Sequence, residues 1–162
     1  MKKCALFILL YAAVSAASAQ ELPRWKATDL VEYIDKKDGA TVKVVNVWAT
    51  FCKPCIAEIP GFISVAKKMG KDVELMLVSV DMKSHFPARI LSFAKQHNFD
   101  APMAWLDETN ADYFCPKLHP DWSGSIPATL ILNTRTGYRK FIEDEMGEEL
   151  LEKEIKAALD SP

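Results

Sequence analysis

Runs of apolar residues along the chain predict buried strands. Residues 42–48 and 73–80 are nearly uninterrupted apolar runs rich in β-branched side chains, which is typical of strands that are buried on both faces. Residues 128–132 form a third apolar run. Thr136-Gly137 then predicts a turn that leads into a partner strand over residues 138–142.

Apolar residues at three- and four-residue steps predict helices between these strands. A first helix, capped by Thr28 or Asp29, is expected to extend to residue 37. A second helix begins directly after Cys52. Pro60 falls inside it and is expected to kink it, because proline lacks an N–H and its ring clashes with the preceding turn.

The second half of the chain is less regular. Ser84 opens a third helix that ends at about residue 98, and Gly147 precedes a closing helix. Prolines and aromatic residues interrupt residues 102–124, where only a short helix near residues 107–113 is predicted. This order of elements predicts an α/β fold, a central mixed sheet with helices on both faces. A right-handed crossover would make the first two long strands parallel neighbours.

Residues 1–19 follow the order of a cleavable secretory signal. Lys2 and Lys3 precede an apolar run over residues 4–14, and small residues at 17–19 end before Gln20. The apolar run is shorter than the roughly 20 residues of a membrane-spanning helix, so cleavage near Ala19 is expected, with a retained anchor as the alternative. A periplasmic or otherwise exported protein is predicted, with one domain over residues 20–162.

Charge and cysteine content narrow the function classes. The chain has 22 acidic residues against 20 Lys and Arg, and the basic residues are scattered, so no nucleic-acid footprint or polybasic membrane patch is predicted. Without the signal, Cys52, Cys55 and Cys115 remain. Three cysteines are too few for a disulfide-stapled scaffold, and the odd number leaves one to explain.

Cys52 and Cys55 carry the strongest chemical signal. They stand two residues apart where an apolar strand ends and a helix begins, so Cys52 lies at a helix N-terminus that favours the thiolate. Lys53 adds a positive charge beside it. We expect Cys52 to be exposed and to attack partner disulfides, and Cys55 to resolve the mixed disulfide. A purely structural disulfide is the alternative, but so short a loop would stabilise the fold little.

Four segments together resemble the thioredoxin superfamily, and within it the exported TlpA/ResA-type thiol–disulfide oxidoreductases. They are residues 48–55 (WATFCKPC), 56–60 (IAEIP), 78–81 (VSVD) and 125–129 (SIPAT). The resemblance implies a thioredoxin fold that exchanges disulfides with protein thiols and disulfides of the cell envelope. It also implies an upstream redox partner and no dissociable cofactor. The net direction of electron flow is not predicted.

The resemblance also assigns roles to residues around the cysteine pair. It implies that Lys53 and Pro54 tune the reduction potential. It implies that Trp48, Ile126 and Pro127 bind the substrate, with a cis bond before Pro127 that faces the cysteines and frees the Ile126 backbone for an extended partner.

Glu58 and Asn46 are predicted to tune the cysteines. Glu58 follows Cys55 by three residues and shares its helix face, and in the resembling proteins the matching glutamate adjusts thiol reactivity. Asn46 stands where thioredoxin itself carries a buried aspartate. Because asparagine cannot accept a proton, the role of base passes to Glu58. A solvated Glu58 on a helix surface is the alternative.

Cys115 and His119 leave a metal site open as an alternative function. Their C-x₃-H spacing, added to Cys52 and Cys55, could supply a Cys₃His ligand set, and the copper-binding Sco-type chaperones share the thioredoxin fold. The alternative is therefore a metal (copper) chaperone that uses Cys52, Cys55 and His119. A thiol packed near Trp122, and a regulatory or substrate-like third cysteine, are the other roles open to Cys115.

Two further features are not expected to carry chemistry. Peroxiredoxins place a threonine three residues before their reactive cysteine, whereas Thr50 is two residues before Cys52, so peroxidase as the main activity is not expected. His85 and His97 have no partner in the sequence and are predicted to lie on helix surfaces.

Overall fold

The computed structural model describes residues 21–37 and 39–162, and its core is a six-stranded mixed sheet. The strands are β1 Arg24–Trp25, β2 Val42–Trp48, β3 Val73–Ser79, β4 Met103–Leu106, β5 Ala128–Asn133 and β6 Arg139–Ile142. Their order across the sheet is β1-β4-β3-β2-β5-β6. The first four are parallel, and β5 is antiparallel to both β2 and β6.

Helices cover both faces of this sheet, so the predicted fold class is confirmed. They are α1 Ala27–Asp35, α2 Lys53–Met69, α3 Ala88–Gln96, α4 Ala111–Leu118 and α5 Glu148–Leu159. Apolar residues of α2, α3 and α5 form one core cluster with one face of the sheet, and those of α1 and α4 form a second cluster with the other face. Alternate residues of β2 divide between the clusters, with Val44 and Trp48 in the first and Val45 and Val47 in the second.

The two central strands bring the chemistry to one edge of the sheet. All seven residues of β2 are buried, as expected for a strand covered on both faces. β2 and β3 are parallel neighbours, as predicted, and they pair in register from Val42 opposite Val73 to Trp48 opposite Ser79. Val80 N–H still donates to Trp48 O at 2.9 Å, so the segments that follow both strands leave the sheet side by side.

Two strands were missing from the sequence prediction. β1 and β4 are two and four residues long and parallel to each other, and Trp105 N–H donates to Pro23 O at 2.9 Å. Their position depends on pairing between distant segments, which local spacing does not reveal. The helix predicted at 107–113 instead begins at Ala111, because Asp107 N–H is still bonded to Trp25 O of the sheet.

The third helix also begins later than predicted. Residues Lys83–His85 form a 3₁₀ turn, and α3 starts only at Ala88. Phe86 is extended, with φ −80° and ψ 138°, as the proline that follows it favours. α2 runs without interruption from Lys53 to Met69, through Pro60.

The predicted signal segment, residues 1–19, lies outside the described residues. Among the helices of residues 21–37 and 39–162, none has the length and apolar character needed to span a bilayer.

Candidate active site

A disulfide joins Cys52 and Cys55 at the start of α2. Their Cα atoms are 5.3 Å apart. Cys52 is the N-cap residue of α2, and its Sγ accepts a hydrogen bond from Cys55 N–H at 3.3 Å. Lys53 and Pro54 occupy the first helical positions, where a missing proline N–H costs nothing. The Cys52 sulfur therefore lies where free N–H groups and the helix dipole stabilise a thiolate.

The two sulfurs differ in access to solvent. Cys55 is completely buried and Cys52 retains 6% exposure. The expectation that Cys52 is exposed was therefore wrong in degree, because the disulfide and the surrounding turn cover most of it. Cys52 remains the more accessible sulfur of the pair. Its neighbour Phe51 is 65% exposed, an unusual position for a large apolar side chain.

Glu58, three residues after Cys55 on α2, is buried, which excludes the solvated alternative. Only 6% of the residue is exposed. Its Oε1 accepts from Asn46 Nδ2 and its Oε2 from Met146 N–H, both at 2.8 Å. Burial raises the pKa of the Glu58 carboxyl to about 7; these two hydrogen bonds oppose the rise, and the nearby charges of Glu145 and Asp144 add to it. The carboxyl can therefore gain or lose a proton near neutral pH.

Asn46 links Glu58 to the neighbouring strand. The residue is completely buried on β2, and its Nδ2 also donates to Thr129 Oγ1 of β5 at 3.1 Å. The amide therefore holds one oxygen of Glu58 against the sheet, on the same side of the sheet as Trp48.

A close helix contact holds the other oxygen. Gly61 of α2 approaches the first residue of α5 so closely that a Cβ at this position would lie 2.5 Å from Cγ of Glu148. The segment before α5 is thereby packed on α2, and it delivers the Met146 amide to Glu58. A side chain larger than that of glycine at position 61 would require the Glu148 side chain to shift.

The three residues predicted to bind substrate have different surroundings. Trp48 is completely buried and packs against Phe93 and Phe99, so the prediction that it contacts a partner is wrong: no surface of the ring is available. Ile126 is half-buried and packs against the cluster that contains both cysteines. The bond between Ile126 and Pro127 is cis, as the resemblance implied.

A second buried carboxylate lies beside the turn that precedes Cys52, and the sequence analysis did not identify it. Asp81 follows β3, and its side chain has no exposed surface. Its oxygens lie within hydrogen-bond distance of Thr50, Ser79 and His85. His85 was predicted to lie on a helix surface, but this prediction is wrong. The residue is buried in the network around Asp81. An acidic residue at the end of a buried strand, with a histidine four residues later, was the available signal.

Cys115 and His119 do not join the cysteine pair. Cys115 is free, buried in α4, and belongs to the same apolar cluster as Trp122, on the opposite face of the sheet from Cys52 and Cys55. His119 stacks on Phe141, with ring centroids 4.5 Å apart. Within the part of the chain that the structure describes, no three His, Cys, Asp or Glu residues are grouped so that they could hold a metal ion. The ligand set of the chaperone alternative is thus not assembled there.

His97, the other histidine predicted on a helix surface, is half-buried. It follows α3 and stacks on Phe93, with ring centroids 4.2 Å apart. Its surroundings are aromatic, and it belongs to the packing of Phe93 and Phe99 rather than to the cysteine site.

Known structures share this fold. A thioredoxin-related protein from Neisseria meningitidis serogroup B is 28% identical, with a TM-score of 0.65, over 75% of this chain and 87% of that one. A thioredoxin-family thiol:disulfide interchange protein from Chlorobium tepidum is 17% identical, with a TM-score of 0.61, over 79% and 84%. A secreted disulfide oxidoreductase from Mycobacterium tuberculosis is 18% identical, with a TM-score of 0.56, over 72% and 81%.

The sequence itself gives the family. No curated protein matches the chain. The model of the AhpC/TSA family matches residues 15–136, a span that includes the cysteine pair, Glu58 and Pro127. With the thioredoxin-like neighbours, this match confirms the predicted thioredoxin-type resemblance and the predicted enzyme class. The chain belongs to the AhpC/TSA family, and with its C-x-x-C pair it is a thiol–disulfide oxidoreductase.

Proposed function

We propose that this protein is exported and exchanges disulfides with other proteins through Cys52 and Cys55. The observation that carries the proposal is the placement of the pair: a disulfide at a helix N-terminus, with Cys52 the more accessible sulfur and Cys55 fully covered. A purely structural bridge would gain little from this position. The neighbours described above as an interchange protein and as a secreted oxidoreductase support the same function.

The reaction needs only the two sulfurs and a disulfide partner. In the reduced enzyme, the Cys52 thiolate attacks one sulfur of the partner disulfide, and the other partner sulfur leaves as a thiolate. Cys55 then loses its proton and attacks Cys52 Sγ, which releases the second partner sulfur and leaves the Cys52–Cys55 disulfide. Two electrons pass to the partner. An oxidised enzyme runs the same steps in reverse.

Residues around the pair are proposed to adjust this chemistry. Glu58 would accept the proton of Cys55, because its carboxyl titrates near neutral pH, shares a helix face with Cys55 and is held by Asn46. Lys53, exposed at the helix start, would favour the Cys52 thiolate, and Pro54 would fix the backbone between the two sulfurs.

The partner is proposed to lie along the segment before β5. The Ile126 backbone precedes the cis bond, and its side chain packs against the cysteine cluster, so an extended partner chain could pair there while its sulfur reaches Cys52. Pro127, which follows Ile126 across the cis bond, would limit how closely the partner chain can approach. Phe51, not Trp48, offers the apolar contact at the surface.

The export proposal rests on residues 1–19 and on the secreted neighbour. We propose that cleavage near Ala19 releases one domain, residues 20–162, into the cell envelope, where protein thiols and an upstream redox partner are its reactants. Expression of the full chain, followed by mass measurement of the protein from the envelope fraction, tests this. A measured mass equal to that of residues 20–162 supports the proposal, and an unprocessed cytosolic protein contradicts it.

Trapping tests the exchange with proteins. Cys55→Ser removes the resolving thiol, so mixed disulfides through Cys52 should accumulate and appear on non-reducing gels of envelope fractions. The matched control is Cys115→Ser, which should trap nothing. The double variant Cys52→Ser/Cys55→Ser should lose every trapped band. Bands that persist in the double variant, or their absence in Cys55→Ser, would contradict protein exchange at this site.

A further inference from the structure

The turn that delivers Cys52 to α2 is held by one buried carboxylate. Cys52 N–H donates to Ala49 O at 3.0 Å, which closes a β-turn over Ala49–Cys52 with Thr50 and Phe51 at its centre. Asp81 binds both donor groups of Thr50: Oδ2 accepts from Thr50 N–H at 3.0 Å, and Oδ1 accepts from Thr50 Oγ1 at 2.6 Å. The residue two positions before the attacking sulfur is thus fixed through its backbone and its side chain.

Two more side chains complete the network around Asp81. Ser79 Oγ donates to Oδ2 at 2.9 Å, and His85 Nδ1 lies 3.0 Å from Oδ1. Each carboxylate oxygen therefore faces two groups that can donate. Thr50 N–H and the hydroxyls of Thr50 and Ser79 donate to the carboxyl, and His85 Nδ1 can donate to it in one of its two tautomers. Trp105 Nε1–H further fixes the backbone by donating to Asp81 O at 2.7 Å.

The network buries a carboxyl group with no exposed side-chain surface, which is expensive unless its polar atoms are satisfied. An apolar residue could fill such a space at lower cost. The network lies where β2 and β3 end together, directly before the nucleophile, rather than in the sheet interior. The proposed reaction, as written above, makes no use of it.

We infer that Asp81 is a positioning residue of the exchange reaction: through Thr50 it fixes the turn that presents Cys52 at the start of α2, and His85 and Ser79 hold Asp81 in place. This inference rests on the proposed function, since it concerns the reactivity of the same sulfur. Asp81 itself acts only through Thr50. What it secures is the alignment of Cys52 Sγ with the Cys55 N–H and the helix terminus, on which the thiolate depends.

The variant Asp81→Asn distinguishes this positioning role from an effect of negative charge alone and from a role in stability alone. An amide keeps the size and shape of the side chain, but it is neutral and has one acceptor oxygen instead of two, so the bonds to Thr50 weaken and the turn loosens. Positioning predicts that the Cys52 thiol then has a raised pKa and, in the reduced protein at pH 7, reacts about fivefold more slowly with iodoacetamide. If Asp81 acted only through its negative charge, its removal would lower that pKa and speed alkylation. A role in stability alone would change neither.

The measurement is the pH profile of alkylation, read at the Cys52 peptide by mass spectrometry, together with the reduction potential of the pair. Thr50→Val removes one of the two Thr50 bonds and should move both readouts in the same direction by less; it carries the test if Asp81→Asn does not fold. Asp100→Asn is the matched control, because the side chain of Asp100 is exposed and pairs with Lys67.

Two results would overturn the inference: unchanged profiles in Asp81→Asn and Thr50→Val, or faster alkylation in Asp81→Asn. Neither would touch the proposed function, since that fails only if the parent protein itself does not exchange disulfides with partners. Conversely, slower alkylation of Cys52 in Asp81→Asn would support positioning whether or not a protein partner is found.

Discussion

Cys52 and Cys115 are the same residue type in two opposite settings, one on each face of the sheet. Cys52 caps a helix, accepts a backbone N–H and retains access to solvent. Cys115 lies inside α4 at 3% exposure, where burial raises the pKa of its thiol and the charges of Glu143 and Asp112 raise it further. Both cysteines are largely buried, so we expect helix position, rather than the presence of a thiol, to determine which one reacts.

Removal of the attacking sulfur should have the largest effect of all. We expect Cys52→Ser to reduce insulin disulfides no faster than buffer does, because Cys55 is fully covered and cannot replace it. Turbidity of insulin in the presence of dithiothreitol measures this. Full activity in Cys52→Ser would show that Cys52 is not the nucleophile. The comparison of Cys52 with Cys115 would then not explain which cysteine reacts.

Glu58 should make the stability of the folded protein depend on pH. Its pKa is raised from 4.5 to about 7, so between these values the folded state binds more protons than the unfolded state, and stability falls as pH rises. The upper limit of this loss is about 3 kcal/mol from pH 4.5 to above pH 7. Glu58→Gln cannot ionise and should flatten that part of the profile.

Urea unfolding of the oxidised protein at pH 5 and pH 8 measures this effect. Glu149→Gln is the control, since Glu149 is exposed on α5 and the substitution should leave the profile of the parent. Equal slopes for Glu58→Gln and the parent would show that Glu58 does not titrate near neutral pH.

Glu58 should also influence the thiols, with a smaller effect. When ionised it places a negative charge on the Cys55 side of the site and disfavours a second one there. We therefore expect Glu58→Gln to lower the pKa values of the pair by roughly one unit and to change the pH dependence of exchange. Alkylation rates from acid to alkaline pH report this directly, and superimposable curves for variant and parent would speak against a tuning role.

The sequence was most informative where one segment carries its own signal. β2, β3 and the start of α2 were predicted from apolar runs and from the C-x-x-C spacing, because burial on both faces and helix capping depend on neighbouring residues. β1 and β4 depend on a pairing across more than eighty positions, Arg24 opposite Trp105, and local spacing carries no trace of it. The Asp81 network was missed although part of its signal is local, because the contact with Thr50 joins residues 31 positions apart that follow two different strands.

Burial explains the remaining differences at the site. Trp48 was assigned to the partner surface on the resemblance, yet its side chain is buried in the core, while that of Phe51 in the turn is exposed. For Glu58 the helix position was predicted correctly. The two hydrogen bonds that its oxygens accept, from Asn46 and from the Met146 amide, were not predicted. Met146 is 88 residues away in the chain, so only the folded structure reveals that contact.

The smallest effects are expected on the other face of the sheet. Cys115→Ala removes one buried sulfur and should lower the free energy of unfolding by about 1 kcal/mol, while exchange stays within about twofold of the parent. His119→Ala loses its stacking on Phe141, its bond from Asp121 N–H and its contact with the Asp121 carboxylate, and should also leave exchange intact. Competition with a chelator, on fully reduced protein, tests the metal alternative in the same variants. One equivalent of tightly bound copper or zinc that is lost in His119→Ala would mean that the two faces share a site, and it would replace disulfide exchange by metal transfer as the main function. Weak binding that neither variant changes would leave Cys52 and Cys55 as the reactive centre, because Cys115 then contributes packing alone.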